Sequence, residues 1–228
     1  MNCLAVQTCQ TLGYHRLQLF PDDASDGDAS DNTGENDTRP ELMTFAYIMD
    51  KNLALNLGRA SAFQDYDILM PEYWDTTQQP DPWRKVAILW FRHAQVQGMI
   101  YEQLYSAQAV ASSREQRIQS VANLAQEVKR MIEETEQIRD YLGPGVFEGP
   151  PAIIGQTAEL RFSYLSDMVT YYTTLTLIYR AVPSGQGEEA GAFIPECIEA
   201  GRAAFRFHLE CCRLTREYLG LQACYILW

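Results

Sequence analysis

The chain has 228 residues, a net charge of −12 and an isoelectric point near 4.7, and it shows no clustered basic face, which argues against direct contact with a phosphate backbone. Hydrophobic residues make up 46% and charged residues 21%, far from the signature of disorder, and a chain of this length buries a sizeable core, read here as one domain over 1–228. The most apolar stretches, 86–91 and 175–178, fall well short of the roughly 20 residues that a membrane span needs.

Residues 1–10 read as the second half of a helix. From Pro21 to Pro40 the composition turns to Asp, Ser, Asn, Gly and Thr, with seven acids and no base before Arg39. This predicts an acidic disordered insert at about 21–40, acting as a solvated linker or as an interaction segment. Beyond it the periodicity is helical, with no convincing alternation of period two. Leu42 to Leu57 is apolar on most sides and predicts a buried helix stopped by Gly58. Asp81 and Pro82 form an N-cap and first-turn pair for a long helix through Trp83, Ile88, Leu89, Phe91, Met99 and Leu104.

Ser112 and Glu115 have the spacing of a capping box. The helix they open carries Ile118, Val121, Ala125, Val128, Ile132 and Ile138 on one stripe and ends at Gly143 and Pro144. A further helix, Leu160 to Val182, is rich in tyrosine and threonine. After the breakers of 183–191 a last full helix runs near Pro195 to Leu219, with Ile198, Phe205, Leu209, Cys212 and Leu214 expected to point inward. The run Leu221 to Trp228 is apolar and uncapped, so both ends read as cut and a natural continuation is expected, with an isolated piece inclined to self-associate. The fold class expected is all-α, an irregular multi-helix architecture.

Six cysteines, Cys3, Cys9, Cys197, Cys211, Cys212 and Cys224, show neither framework spacing nor a secretory signal before them, so a reducing compartment is the simpler reading. No C-x-x-C pair occurs, and His208, Cys211 and Cys212 supply at most two or three ligands on one helix face. Asp65 and Asp67 are interrupted by Phe63, Tyr66 and Ile68, unlike the six or more ordered oxygens of a calcium site. His15, His93 and His208 lie in no nucleophile motif, and His93 reads as a surface or boundary residue. Gly143, Gly145 and Gly149 are interleaved with prolines and lack the lysine of a phosphate loop. Catalytic, metal and cofactor residues are therefore expected to be none. Tyr164, Tyr171, Tyr172 and Tyr179 could line an effector pocket or could be core residues whose hydroxyls reach the surface.

Two segments carry a family resemblance. Leu12-Gly13-Tyr14-His15-Arg16 follows an apolar helix. The longer block runs from Tyr47 through Asp50, Lys51, Gly58, Arg59, Asp65 and Asp67 to Met70-Pro71. It is an aromatic helix ending in aspartate and a base, then glycine and arginine, then an aspartate-rich loop closing on proline. Together with Ala200-Gly201-Arg202-Ala203-Ala204, His208 and Cys211, these resemble the fungal-specific transcription factor domain, or middle homology region, of binuclear zinc-cluster transcription factors. Glu41 and Thr44 stand where that family commonly has arginine and tryptophan, and the acidic insert is longer than usual.

The resemblance implies a regulatory module in the nucleus that controls RNA polymerase II transcription by effector sensing, intramolecular masking or co-regulator contact. It implies DNA binding only through an upstream zinc cluster that this chain lacks, with zinc expected there and no cofactor here. Expected partners are transcriptional co-regulators, a small-molecule effector and a second copy in a homodimer, with no membrane. The alternative is a free-standing helical scaffold or small-molecule-binding protein that has lost the zinc cluster. Independently of the resemblance, Gly58 suits a helix C-cap, and Arg59 is placed to pair with Asp50 or with the last carbonyls.

Overall fold

The computed structural model describes residues 2–16, 39–68, 82–143, 156–182 and 193–217, and among these every regular element is helical. Seven α-helices follow one another: α1 (Asn2–Thr11), α2 (Arg39–Asn56), α3 (Pro82–Ile100), α4 (Ala107–Val110), α5 (Arg114–Leu142), α6 (Gln156–Arg180) and α7 (Ile194–Glu217). The expected all-α class is thus met. Most of the acidic insert, 21–38, and the apolar run 221–228 lie outside the described residues, as do Asp81 and Pro144. Arg39 and Pro40, placed in the insert by composition, instead form the first turn of α2, where proline's missing N–H has no helical partner to lose.

The chain divides into two compact units, Met1–Val110 and Ala111–Trp228. In the first, α1, α2 and α3 close around Val6, Cys9, Met43, Ala46, Tyr47, Phe63, Phe91 and Ala94. The Tyr47 ring stacks on Phe91 with centroids 4.9 Å apart, and Phe63 tilts against it at 6.1 Å. Helix α3 does not run on as a plain α-helix. Residues Tyr101–Tyr105 form one π turn, closed by the Ser106 amide donating to the Tyr101 carbonyl at 2.7 Å, and Ser106 Oγ then receives the Ala109 amide to start α4.

In the second unit α6 packs against both α5 and α7. Helix α5 buries Val121, Leu124, Ala125, Val128, Met131, Ile132 and Thr135, so of the expected stripe Val121, Ala125, Val128 and Ile132 face inward while Ile118 and Ile138 are only half-buried. Its start is one residue later than expected. The N-cap is Ser113, whose hydroxyl receives the Gln116 amide at 3.2 Å while Gln116 Oε1 receives the Ser113 amide at 3.1 Å. The Ser112–Glu115 spacing is therefore a decoy, because Ser113 and Gln116 satisfy the same pattern one step on. Gly143 ends the helix at φ +82, its amide donating to the Arg139 carbonyl.

Two expectations about side-chain direction are corrected. In α7 the inward residues are Ala200, Ala203, Cys211 and Leu214, while Ile198, Phe205 and Leu209 face solvent. The alanines let α6 approach, and Cys211 and Leu214 meet Phe162 and Leu165 there. His93, read as a surface or boundary residue, is buried, and burial pushes its imidazole from 6.5 down to about 3.

Replacing Ser113 with alanine is expected to lower the unfolding free energy by about 1 kcal/mol, against a clearly smaller loss for Ser112→Ala, measured by chemical denaturation. Equal losses would place the cap elsewhere. For His93, the unfolded imidazole takes up a proton below pH 6.5, whereas the folded one does so only near pH 3. Its contribution is complete above the unfolded value and falls as pH drops toward the folded one, on the order of 1 kcal/mol per pH unit. A His93→Gln variant should therefore show a shallower loss of stability than the parent between pH 6.5 and 4.5, a window of about two units; parallel curves would contradict a buried neutral imidazole.

Candidate functional site

The block that carries the resemblance folds into one interlocked structure at the end of α2. Gly58 adopts φ +63, the left-handed conformation that closes a helix, with its own amide on the Leu55 carbonyl at 3.1 Å and the Arg59 amide on the Ala54 carbonyl at 2.9 Å. This turns the chain back along α2. There Asp50, with 0% exposure, receives Ser61 Oγ at 2.6 Å and the amides of Ala62 and Phe63 at 2.7 and 3.1 Å, all on Oδ2. Oδ1 is also buried and has no hydrogen-bond partner among the described residues. The expected pairing of Arg59 with Asp50 is not made. Arg59 is exposed, because the left-handed turn carries it outward and two backbone amides and a hydroxyl take its place on the carboxylate.

Lys51, only 2% exposed, points its ammonium to Asp65 Oδ1 at 2.7 Å and to the Phe63 carbonyl at 3.1 Å, with the Tyr47 ring face 5.3 Å away. Asp65 Oδ1 also accepts the Tyr47 hydroxyl at 2.5 Å. Burial, and then the bond to the Asp65 carboxylate, push the Tyr47 phenol well above its ordinary range, so it remains a donor. Asp65 begins a single 3-10 turn that ends at Asp67, and the Asp67 side chain is exposed. The two acids thus do different work, and only Asp65 belongs to the network.

Beside this network lies a cleft of about 230 Å³ lined by Lys51, Ser61, Gln64, Gln97, Gly98, Tyr101 and Glu102 among others. Its far wall is the π turn, a local widening that recurs at functional sites. Gly98 faces the wall closely: a Cβ there would meet Lys51 Nζ at 3.0 Å and Asp65 Oδ2 at 3.1 Å, so a larger residue would press on the ion pair. The cleft therefore offers an amide-rich rim over a compensated ion pair, an arrangement suited to holding a small polar group by hydrogen bonds. Ser61, Gln64, Gln97, Gly98, Tyr101 and Glu102 were not singled out from the sequence. The one local signal for them was Gly98, a lone glycine inside a helical run, which marks a close approach.

The remaining candidates lie elsewhere. Gly13 takes φ +72 after α1, and His15 and Arg16 follow in a 3-10 turn. His15 is half-buried, and its Nδ1 has no hydrogen-bond partner among the described residues. Pro71 lies outside the described residues. Of the four tyrosines on α6, Tyr171 and Tyr179 are buried and Tyr164 and Tyr172 half-buried. Tyr164 meets Phe207 edge-on at 6.2 Å and its hydroxyl receives Arg139 Nη1 at 3.1 Å; Tyr172 stacks on Phe207 at 5.7 Å and Tyr179 on Phe193 at 5.6 Å. His208 Nε2 lies 3.6 Å from Cys212 Sγ. Burial pushes the neighbouring Cys211 thiol up to about 11, away from the thiolate that a metal would require. Among the described residues no group of three or more His, Cys, Asp or Glu could hold a metal ion, and no helix is long and apolar enough to cross a membrane.

Lys51→Met keeps the length of the side chain but leaves Asp65 without its cation, and should lower the unfolding free energy by about 3 kcal/mol. Arg59→Met, at an exposed position, should change it by less than about 0.5 kcal/mol. Denaturant titration of the two variants checks this; equal effects would remove the asymmetry that separates the neighbours of Gly58.

Compared with protein-family models, with curated proteins and with solved structures, the chain finds no match.

Proposed function

We propose that this chain is the regulatory module of a nuclear transcription factor of the fungal zinc-cluster type, controlling RNA polymerase II transcription through effector sensing, masking or co-regulator contact. The observation that supports this reading is the mutual dependence of the signature residues. Asp50, Lys51, Gly58 and Asp65 each hold the same returning loop, so their joint appearance at these spacings reflects one structural device rather than chance composition. DNA contact belongs, on this reading, to a zinc cluster on another segment, as the acidic balance of this chain requires.

A second reading, a small-molecule-binding helical protein acting on its own, draws on the cleft between the returning loop and the π turn. The two separate in one experiment. The full chain is fused to a heterologous DNA-binding domain in a fungal host carrying a matched reporter gene. The regulatory reading expects transcription to shift, up or down, by about fivefold or more relative to the DNA-binding domain alone, a coupling on the order of 1 kcal/mol, and expects Lys51→Met to abolish the shift. A fusion that is folded, nuclear and without effect on the reporter would overturn it in favour of the second reading.

A further inference from the structure

Helix α7 presents two apolar faces. Ala200, Ala203, Cys211 and Leu214 are buried. On the opposite side Ile194, Ile198, Phe205 and Leu209 are 50%, 47%, 72% and 56% exposed. Their spacing of four, seven and four residues keeps them on one narrow stripe of the helix. Such a contiguous stripe of large side chains on one helix is the mark of an association surface rather than of scattered surface residues.

The stripe is symmetric about a point between residues 201 and 202. When a second copy of the helix is laid across it antiparallel about a twofold axis at that point, Ile194 faces Leu209 of the other copy and Ile198 faces its Phe205, each contact occurring twice. An isologous pairing requires this kind of self-complementarity. At the crossing the axis sets Gly201 of each copy opposite Arg202 of the other, and the space above Gly201 is open, so the glycine leaves room for the arginine stem. The charges agree with the same arrangement. Glu199, Arg202 and Arg206 are exposed along one flank of the stripe. In an antiparallel twofold pair this flank faces itself, which sets Glu199 of each copy opposite Arg202 and Arg206 of the other. The other flank, with Cys197, Ala204 and His208, carries no carboxylate, lysine or arginine to oppose the approach.

We infer that the exposed face of α7 is a homodimer interface, formed by antiparallel crossing of two copies at Gly201 with Ile198 against Phe205 at its centre. The inference does not depend on the transcriptional reading. The net charge of −12 opposes association of two copies at low salt, so dimerisation is strongest where screening is effective.

The test uses the full chain in sedimentation equilibrium at about 10 to 100 μM and physiological salt. The parent chain is expected to be a dimer, and Phe205→Glu should weaken association by about a hundredfold while leaving the helical circular dichroism and the unfolding midpoint unchanged, because Phe205 contributes nothing to the core. Two charge variants make the assignment specific. Glu199→Lys sets like charges against Arg202 and Arg206 of the other copy, and Arg202→Glu with Arg206→Glu sets like charges against Glu199. Each variant alone is expected to be impaired, and an equimolar mixture should restore association as a heterodimer, which contacts within a single chain could not produce. A monomeric parent chain would overturn the proposal, as would a dimer indifferent to Phe205→Glu or a mixture no stronger than either variant alone. Dimerisation that appears only after removal of residues 221–228 would overturn it too, since the stripe would then be occupied by the chain's own tail.

Discussion

A lysine ammonium removed from water must find oxygen partners in place of its hydration shell, and Lys51 on α2 imposes that condition on everything around it. Its partners, the Phe63 carbonyl and Asp65, come from the segment that follows the helix, so the chain has to reverse at Gly58. The preceding residue, Asp50, binds the same segment through its amides. Two neighbouring side chains of opposite sign thereby hold a single loop, one by its acceptors and the other by its donors. The arrangement delivers Phe63 to the ring cluster of Tyr47 and Phe91, and it brings Lys51 and Asp65 close against Gly98 on α3. Buried ion pairs stabilise less than their geometry suggests, since desolvation offsets most of the attraction. Their contribution here is to select one path for the loop among many.

The returning loop explains how much of the structure could be read in advance. Helix ends were legible wherever a single residue decides them, as Gly58, Pro82 and Gly143 do, because a positive φ or a missing N–H is a local requirement. The stripe on α5 was legible because one face is apolar and the others are charged. The capping box of α5 was displaced by one residue because adjacent serines and adjacent Glu115 and Gln116 offer two equivalent solutions, and tertiary packing chooses between them. Helix α7 misled for a more instructive reason. Its largest side chains suggest the core, yet the face that meets α6 is built on alanines, and close approach favours small residues over large ones. The cleft could not be read at all, since it needs the end of α2, the returning loop and the π turn in one place, and Gly98 alone pointed toward it.

The second unit is held in a different manner. Helix α5 uses arginines at both ends: Arg117 donates to the Ala181 carbonyl just past the end of α6, and Arg139 donates to the Tyr164 hydroxyl near its beginning. The first meets the negative end of the α6 dipole, where a cation is favoured. The tyrosines of α6 are placed by ring contacts with Phe207 and Phe193, which leaves them as packing elements with polar tips. The unit owes its alignment to directional groups along the length of α6 and its cohesion to the apolar stripe of α5.

The π turn at 101–105 accommodates one residue more than an α-helical turn holds. Seen as a matter of length, the chain carries a spare residue there. A descendant sequence could lose it and close a plain α-helical turn, and because five residues of a π turn sweep about the same angle as four of an α-helix, the side chains on either side would keep their directions. The width of the cleft wall at this turn is therefore set by a count of residues, because losing one would replace the π turn with a narrower α-helical one between the same neighbours.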